Sequence, residues 1–194
     1  MNKDAMRKAL AVCLHRQEKL LLCCKGEFAS VAAAEAVELG AKAVSWEPDL
    51  RWQNLARLAI LNRTRVAVGT GPVLLALSKL GKATAAPIPV RDVVLVGTKC
   101  PDWMLSSIAS GMDARIWDCC LDAPGSSASD PALEGLREPL LRWSSVLDYR
   151  AERTEMGLSL EVVVFPGKQL PRLPSGGKVT VRSWEPGADV PFCL

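Results

Sequence analysis

A chain of 194 residues, 49% hydrophobic and 23% charged, carries enough apolar material for one domain-sized core, which excludes an intrinsically disordered polypeptide. The net charge of +3 is small and the Lys and Arg residues are interspersed with acids, so no basic stripe marks a nucleic-acid interface. Seven cysteines include two vicinal pairs and no C-x-x-C spacing, which fits neither a disulfide scaffold nor a zinc ribbon.

Buried reduced thiols in a cytosolic setting are the expected use of those cysteines. The sharper alternative has Cys23, Cys24, Cys119 and Cys120 converging on a metal or an iron-sulfur cluster, but adjacent cysteines ligate a single ion poorly. No apolar run approaches the length of a membrane span, and the run Ala9–Leu14 is too short for a secretory signal before His15, Arg16, Glu18 and Lys19 interrupt it. The expected location is cytoplasmic.

In chain order, strands are predicted at Ala9–Leu14, Leu20–Cys24, Ala41–Trp46, Arg65–Val68, Val93–Gly97 and Ala114–Trp117. Most are short apolar runs without alternation, the pattern of strands covered on both faces. Helices are predicted between them at Ala29–Leu39, Leu50–Leu61, Pro72–Leu80 and Asp102–Ser110, with Gly40, Gly81 and Gly111 placed to close three of them and Asp49 and Asp102 placed to start two. This alternation predicts an α/β fold, a parallel sheet with helices on both faces.

Leu121–Asp130 is rich in Pro, Gly, Ser and Ala and reads as a linker. Pro131–Leu147 reads as an amphipathic helix kinked near Pro139, followed by strands at Leu158–Phe165 and Lys178–Trp184. The organisation expected is a nucleotide-binding-like core over 1–120, a linker over 121–130, and a short β-rich C-terminal extension of the same domain over 131–194. Ser45-Trp46-Glu47-Pro48 recurs as Ser183-Trp184-Glu185-Pro186, which reads as a shared strand-end turn and not as a repeat.

Val66-Ala67-Val68-Gly69-Thr70-Gly71-Pro72 resembles half of a dinucleotide fingerprint, with Leu74 at the place of the third glycine. A tight strand-to-helix turn is the simpler reading. Gly97-Thr98-Lys99-Cys100-Pro101-Asp102-Trp103 follows a buried strand and puts polar side chains and a helix start where open α/β sheets take ligands; a solvated, capped loop is the competing reading. His15 is the single histidine and has no evident nucleophilic partner, and the carboxylates are dispersed, so no catalytic side chains are assigned. Six tryptophans beside one tyrosine and three phenylalanines suggest a subunit interface.

Gly26-Glu27-Phe28, continuing through Ala32, Ala36 and Leu39, resembles the Asn-Pro-Phe-Asp-x-x-Ala-x-x-x-Ala-x-x-Leu segment of electron-transfer flavoprotein β subunits. Met6–Val12 resembles that family's first strand, Leu55–Ile60 a later helix, Asp92–Gly97 its Asp-Leu-Val-Leu-x-Gly turn, and Gly157-Leu158 with Phe165-Pro166 its Gly-Leu-Glu...Leu-Pro stretch. The resemblance implies an adenine-nucleotide-hydrolase-like fold. It also implies pairing with an α-like subunit that holds most of the FAD, and electron transfer from a flavin-dependent dehydrogenase.

Carried over, nucleotide contacts would fall at Cys13, Gly26, Glu27, Phe28, Gly97, Thr98, Lys99, Cys100, Asp102, Ser106 and Ser107, where the family commonly holds AMP or, in bifurcating members, a second FAD, and where loss of AMP is the competing expectation. Glu27, where the family has proline, sets a carboxylate against a phosphate. The family's Arg-Leu-Asn-x-Pro-Arg segment is reduced to a remnant at Gln169–Pro174, and its long C-terminal arm is not recognisable. Two rivals remain: a structural subunit of a larger oxidoreductase that has lost nucleotide binding, and an unrelated nucleotide enzyme built on the Gly69–Pro72 turn.

Overall fold

Lys3–Cys13 folds as a helix, α1, where the sequence predicts a strand over Ala9–Leu14. Its buried residues are Met6, Ala9, Leu10 and Cys13, one stripe at helical spacing, while Ala11 and Val12 lie exposed inside the run that reads as a strand. The computed structural model describes residues 3–46, 52–83, 87–97, 99–120, 139–143, 145–154, 157–164 and 177–183. Two compact units are resolved, Met1–Ala123 and Pro124–Leu194.

In the first unit β1 (Lys19–Cys23), α2 (Gly26–Glu38), β2 (Lys42–Ser45), α3 (Trp52–Asn62), β3 (Val66–Gly69), α4 (Gly71–Ala83), β4 (Asp92–Leu95), α5 (Asp102–Met112) and β5 (Arg115–Asp118) follow α1. The predicted start of α3 at Asp49 and Leu50 lies outside the described residues. The five strands form one parallel sheet in the order β2-β1-β3-β4-β5, the α/β architecture expected.

Strand alternation divides the core in two. Leu20, Leu22, Val66, Val68, Val94 and Val96 pack on one face with Met6 and Leu10 of α1 and Ala32 and Ala36 of α2. Leu21, Ala67, Val93 and Leu95 point to the other face and are fully buried there, on the side of α4, whose Leu74 approaches Gly69. Because the three central strands are covered on both faces, they read as unbroken apolar runs.

Three helices close in the same way. After α2, Gly40 (φ +70°) donates from its amide to Val37 and Ala41 donates to Ala36, a Schellman closure. Arg63 (φ +50°) repeats the pattern after α3, and Asp113 (φ +52°) stands at the left-handed position after α5, where Ala114 donates to Ala109. Gly81 and Gly111, expected to close helices, lie inside α4 and α5. A Cβ at Gly111 would stand 2.7 Å from the Cβ of Ser78, so its role is close approach of α5 to α4.

At the amino edge of the sheet, Asp92 begins β4 with its side chain fully buried. It accepts from Arg91 Nε at 2.7 Å, Arg115 Nε at 2.8 Å and Trp117 Nε1 at 3.0 Å. Arg91 also donates through Nη2 to the carbonyl of Cys13 at 2.8 Å, satisfying a terminal carbonyl of α1 with a cation where the helix dipole favours one. Burial raises the Asp92 pKa, but the bonds from Arg91, Arg115 and Trp117 outweigh it and hold the carboxyl below its ordinary value.

In the second unit, β6 (Val146–Thr154) pairs antiparallel with β7 (Gly157–Val164), and β8 (Gly177–Ser183) pairs parallel with β7. The predicted helix Pro131–Leu147 is corrected at its end: residues 139–142 are helical, but Val146 already begins a strand. The alternation Asp148-Tyr149-Arg150-Ala151-Glu152 is a strand signal that the helical reading passed over. Residues 121–138, Phe165 and Trp184 lie outside the described residues. Ser45 and Ser183 each end a strand.

Replacing Asp92 with Ala is expected to cost about 2–4 kcal/mol in urea unfolding, since it strips partners from a buried network. Its folded pKa is depressed, so its stabilisation is present above the unfolded carboxyl pKa and is lost as pH falls through the folded value. Asp92→Ala should therefore flatten the stability profile below about pH 4. Gly40→Ala is expected to cost about 1–2 kcal/mol, because the left-handed φ penalises a Cβ, and the new atom would stand 3.1 Å from Cγ of Arg16.

Candidate functional site

The strand order reverses between β1 and β3, and open α/β sheets take ligands beyond the carboxyl ends of their strands at such a switch point. That edge is formed here by Cys24-Lys25 after β1, Thr70 after β3, the segment after β4 that includes Gly97, Lys99 and Cys100, and Cys119-Cys120 after β5.

Gly26, Glu27 and Phe28 form the first turn of α2 beside the switch point. Gly26 has φ +65° and nothing within 4 Å of the space a Cβ would fill. Lys25 precedes it in extended conformation and makes no side-chain cap, so the first amides of α2 receive no acceptor from that residue. Phe28 packs against the core. Glu27 forms an ion pair with Lys3 of α1, so the carboxylate that the sequence sets against a phosphate has a cation of its own. Both side chains keep substantial contact with solvent, which makes the pair weak.

Across the switch point, Gly97 has φ +96° and faces the methyl of Thr70. The hydroxyl of Thr70 is buried and has no hydrogen-bond partner among the described residues. Lys99 and Asp102 are exposed, Cys100 is buried, and Thr98 lies outside the described residues. Ser106 and Ser107 belong to α5 and not to a loop; Ser106 is exposed, and Ser107 donates to the Trp103 carbonyl at 2.7 Å.

Cys13 is set apart from all of these. It ends α1, not a strand, and lies at the amino edge beside Asp92, where burial, then the Asp92 charge, pushes its thiol up to about 12. His15 is exposed.

The Gly69-Thr70-Gly71 turn is packed by sulfur-bearing side chains. A Cβ on Gly69 would stand 2.8 Å from Cβ of Cys23, and one on Gly71 would overlap Sγ of Cys100 and stand 2.8 Å from Sδ of Met104. The start of α4 is therefore covered by Cys100 and Met104, whereas the space at Gly26 is open. This speaks against a nucleotide enzyme built on the Gly69–Pro72 turn.

Burial pushes Cys24 up to about 12 and Cys23 well above its ordinary value, so both are protonated thiols at neutral pH and poor nucleophiles. Among the described residues, no group of three or more His, Cys, Asp or Glu side chains is arranged to hold a metal ion. Cys23 faces Gly69 on one side of the sheet, whereas Cys24 and Cys119 sit in the core against α1 and α2 on the other, so the four cysteines do not converge. Lys25 is the edge residue that sequence reasoning missed, and nothing local marks it; Thr70 and Cys120 entered that reading only through the Gly69–Pro72 turn and the vicinal cysteines.

No family model and no curated protein matches the sequence. Solved structures do. The whole chain is similar to 68% of a 2-hydroxyisobutyryl-CoA ligase in the postadenylation state with R3-HIB-AMP, at TM-score 0.60 and 11% identity. The same ligase, open and holding 2-HIB-AMP and CoA, matches 59% of this chain over 29% of its own, at TM-score 0.51 and 12% identity. A further postadenylation structure of it, with 2-HIB-AMP, matches 59% of this chain over 26% of its own, at TM-score 0.50 and 13% identity. In the latter two alignments the chain spans less than a third of the ligase. At these identities the likeness is one of fold.

These neighbours overturn the electron-transfer flavoprotein expectation, together with the electron-transfer and oxidoreductase-subunit readings drawn from it. The structure supplies a concordant reason, since Met6–Val12, matched to that family's first strand, belongs to helix α1. Among the described residues no helix is long and apolar enough to cross a membrane.

Gly71→Ala should cost about 1–3 kcal/mol by overpacking against Cys100. In a Cys100→Ala background the cost should shrink, and the coupling is read from a double-mutant cycle of chemical denaturation curves.

Proposed function

We propose that this chain is an α/β unit of the adenylate-forming CoA-ligase type, which holds the AMP portion of an acyl adenylate at the switch point between β1 and β3. The observation that carries the reading is the open first turn of α2 at that switch point. Gly26 leaves space, Lys25 contributes a positive charge, and amide groups there suit a phosphate. The fold neighbours supply the ligand class, because their complexes contain an acyl-AMP.

In this reading the adenylate phosphate lies against the α2 amides, and the Thr70 hydroxyl bonds a polar atom of the same ligand. A buried hydroxyl without a partner costs about 1–3 kcal/mol, a penalty that ligand binding would relieve.

The test is calorimetry and thermal unfolding with AMP, ATP, CoA and a non-hydrolysable acyl-adenylate analogue. AMP and the analogue should raise the unfolding midpoint through mass action, and Lys25→Glu should weaken their binding about tenfold, roughly 1.4 kcal/mol. Thr70→Val should stabilise the free protein by about 1 kcal/mol while weakening the analogue. Absence of binding by AMP and the analogue alike would overturn the proposal.

A further inference from the structure

In a parallel sheet every strand starts at the same edge, so cations scattered through the sequence are collected there when each strand begins with one. Lys42 begins β2, Lys19 begins β1, Arg65 directly precedes β3, Arg91 directly precedes β4 and Arg115 begins β5. Lys19 and Lys42 are register partners, and the amides of Arg65, Arg91 and Arg115 donate to the carbonyls of Lys19, Arg65 and Arg91 in turn. A basic residue on each strand thus runs along the amino edge at the strand spacing of about 4.8 Å.

The β4 and β5 half of this row is neutralised. Arg91 and Arg115 hold the buried Asp92, and Arg91 also pairs with Glu18 at 3.5 Å. On the other half, Lys19, Lys42 and Arg65 form no ion pair among the described residues. Lys19 is half-buried and donates to the side-chain oxygen of Asn62 at 3.3 Å, while Lys42 and Arg65 are exposed. Two more exposed cations flank them: Arg63, two residues before Arg65, and Arg16, which lies against Gly40. Of the acids beside this half, Glu18 is engaged by Arg91 and the His15 amide, and Glu38 at the end of α2 makes no ion pair among the described residues. Like charges side by side on neighbouring strands repel, a cost that an anionic partner relieves.

We propose that the amino edge at β2, β1 and β3 is a docking surface for an acidic helix of a partner protein. From Lys42 to Arg65 the row spans two strand spacings, roughly 10 Å. Carboxylates at i, i+4 and i+7 of a helix stand on one face over about the same length, since seven residues rise about 10.5 Å. A nucleic acid fits less well, because Trp117 donates to Asp92 and carries the Arg115 guanidinium 6.0 Å over its ring, which leaves no free aromatic face there for a base. This edge is opposite the one assigned to an acyl adenylate, so the two proposals are tested independently.

The test follows the fluorescence anisotropy of a labelled, alanine-based helical peptide with Glu at i, i+4, i+7 and i+11 as the full chain is added. Saturable binding is expected, weakened about tenfold between about 50 and about 300 mM salt. A peptide of the same composition with its Glu residues spread around the helix should bind at least about fivefold more weakly. Lys42→Glu and Arg65→Glu should each weaken binding about tenfold, whereas Lys8→Glu on α1 should leave it unchanged. Lys42→Gln and Arg65→Gln should hold or raise the thermal midpoint while weakening the peptide, which separates a lost contact from a failure to fold. Absence of saturable binding, equal binding of the two peptides, or tighter binding of a labelled single-stranded oligonucleotide than of the acidic helix would overturn the proposal.

Discussion

The buried carboxylate of Asp92 is the constraint on which the amino edge of the sheet is built. Taking an ionised carboxylate out of water costs several kcal/mol unless donors surround it. Here the donors come from its neighbour Arg91 and from Arg115 and Trp117 on the adjacent strand. Arg91 extends the network to the last turn of α1 and to Glu18. The position of α1 over β4, and with it half of one core layer, is thereby coupled to one polar contact set.

The opposite edge follows another logic. Glycines at the end of β3 admit thiol and thioether side chains from the flanking segments, and the room around Gly69 and Gly71 is used for packing. On the β1 side, by contrast, the space at Gly26 beside the start of α2 is open. Cys23 and Cys24, which follow one another there, are held as protonated thiols by burial.

Doubly wound folds share the local vocabulary of short apolar strand, glycine turn and alanine-rich helix, so fragments in the right order align with more than one family. The flavoprotein likeness arose in this way. Its first matched piece fails on physical grounds, since Met6, Ala9, Leu10 and Cys13 are buried along a helical stripe while Val12 stays exposed. The solved structures that the chain does resemble in fold are those of a CoA ligase.

By itself the sequence determined the three buried central strands and the α/β alternation, because runs such as Leu20–Cys23 and Val93–Leu95 have no polar face and must be covered on both sides. It also placed Gly26–Phe28 and the segment after β4 as candidate ligand positions, since both follow strands. Tertiary structure decided what local pattern leaves open. It gave Glu27 to Lys3 and Arg115 to Asp92, pairings separated by 24 and 23 residues that carry no short-range signal. It also decided that α1 is a helix and β6 a strand. Six consecutive apolar residues satisfy either period, and a charged alternating segment becomes a strand when a partner such as β7 supplies its hydrogen bonds.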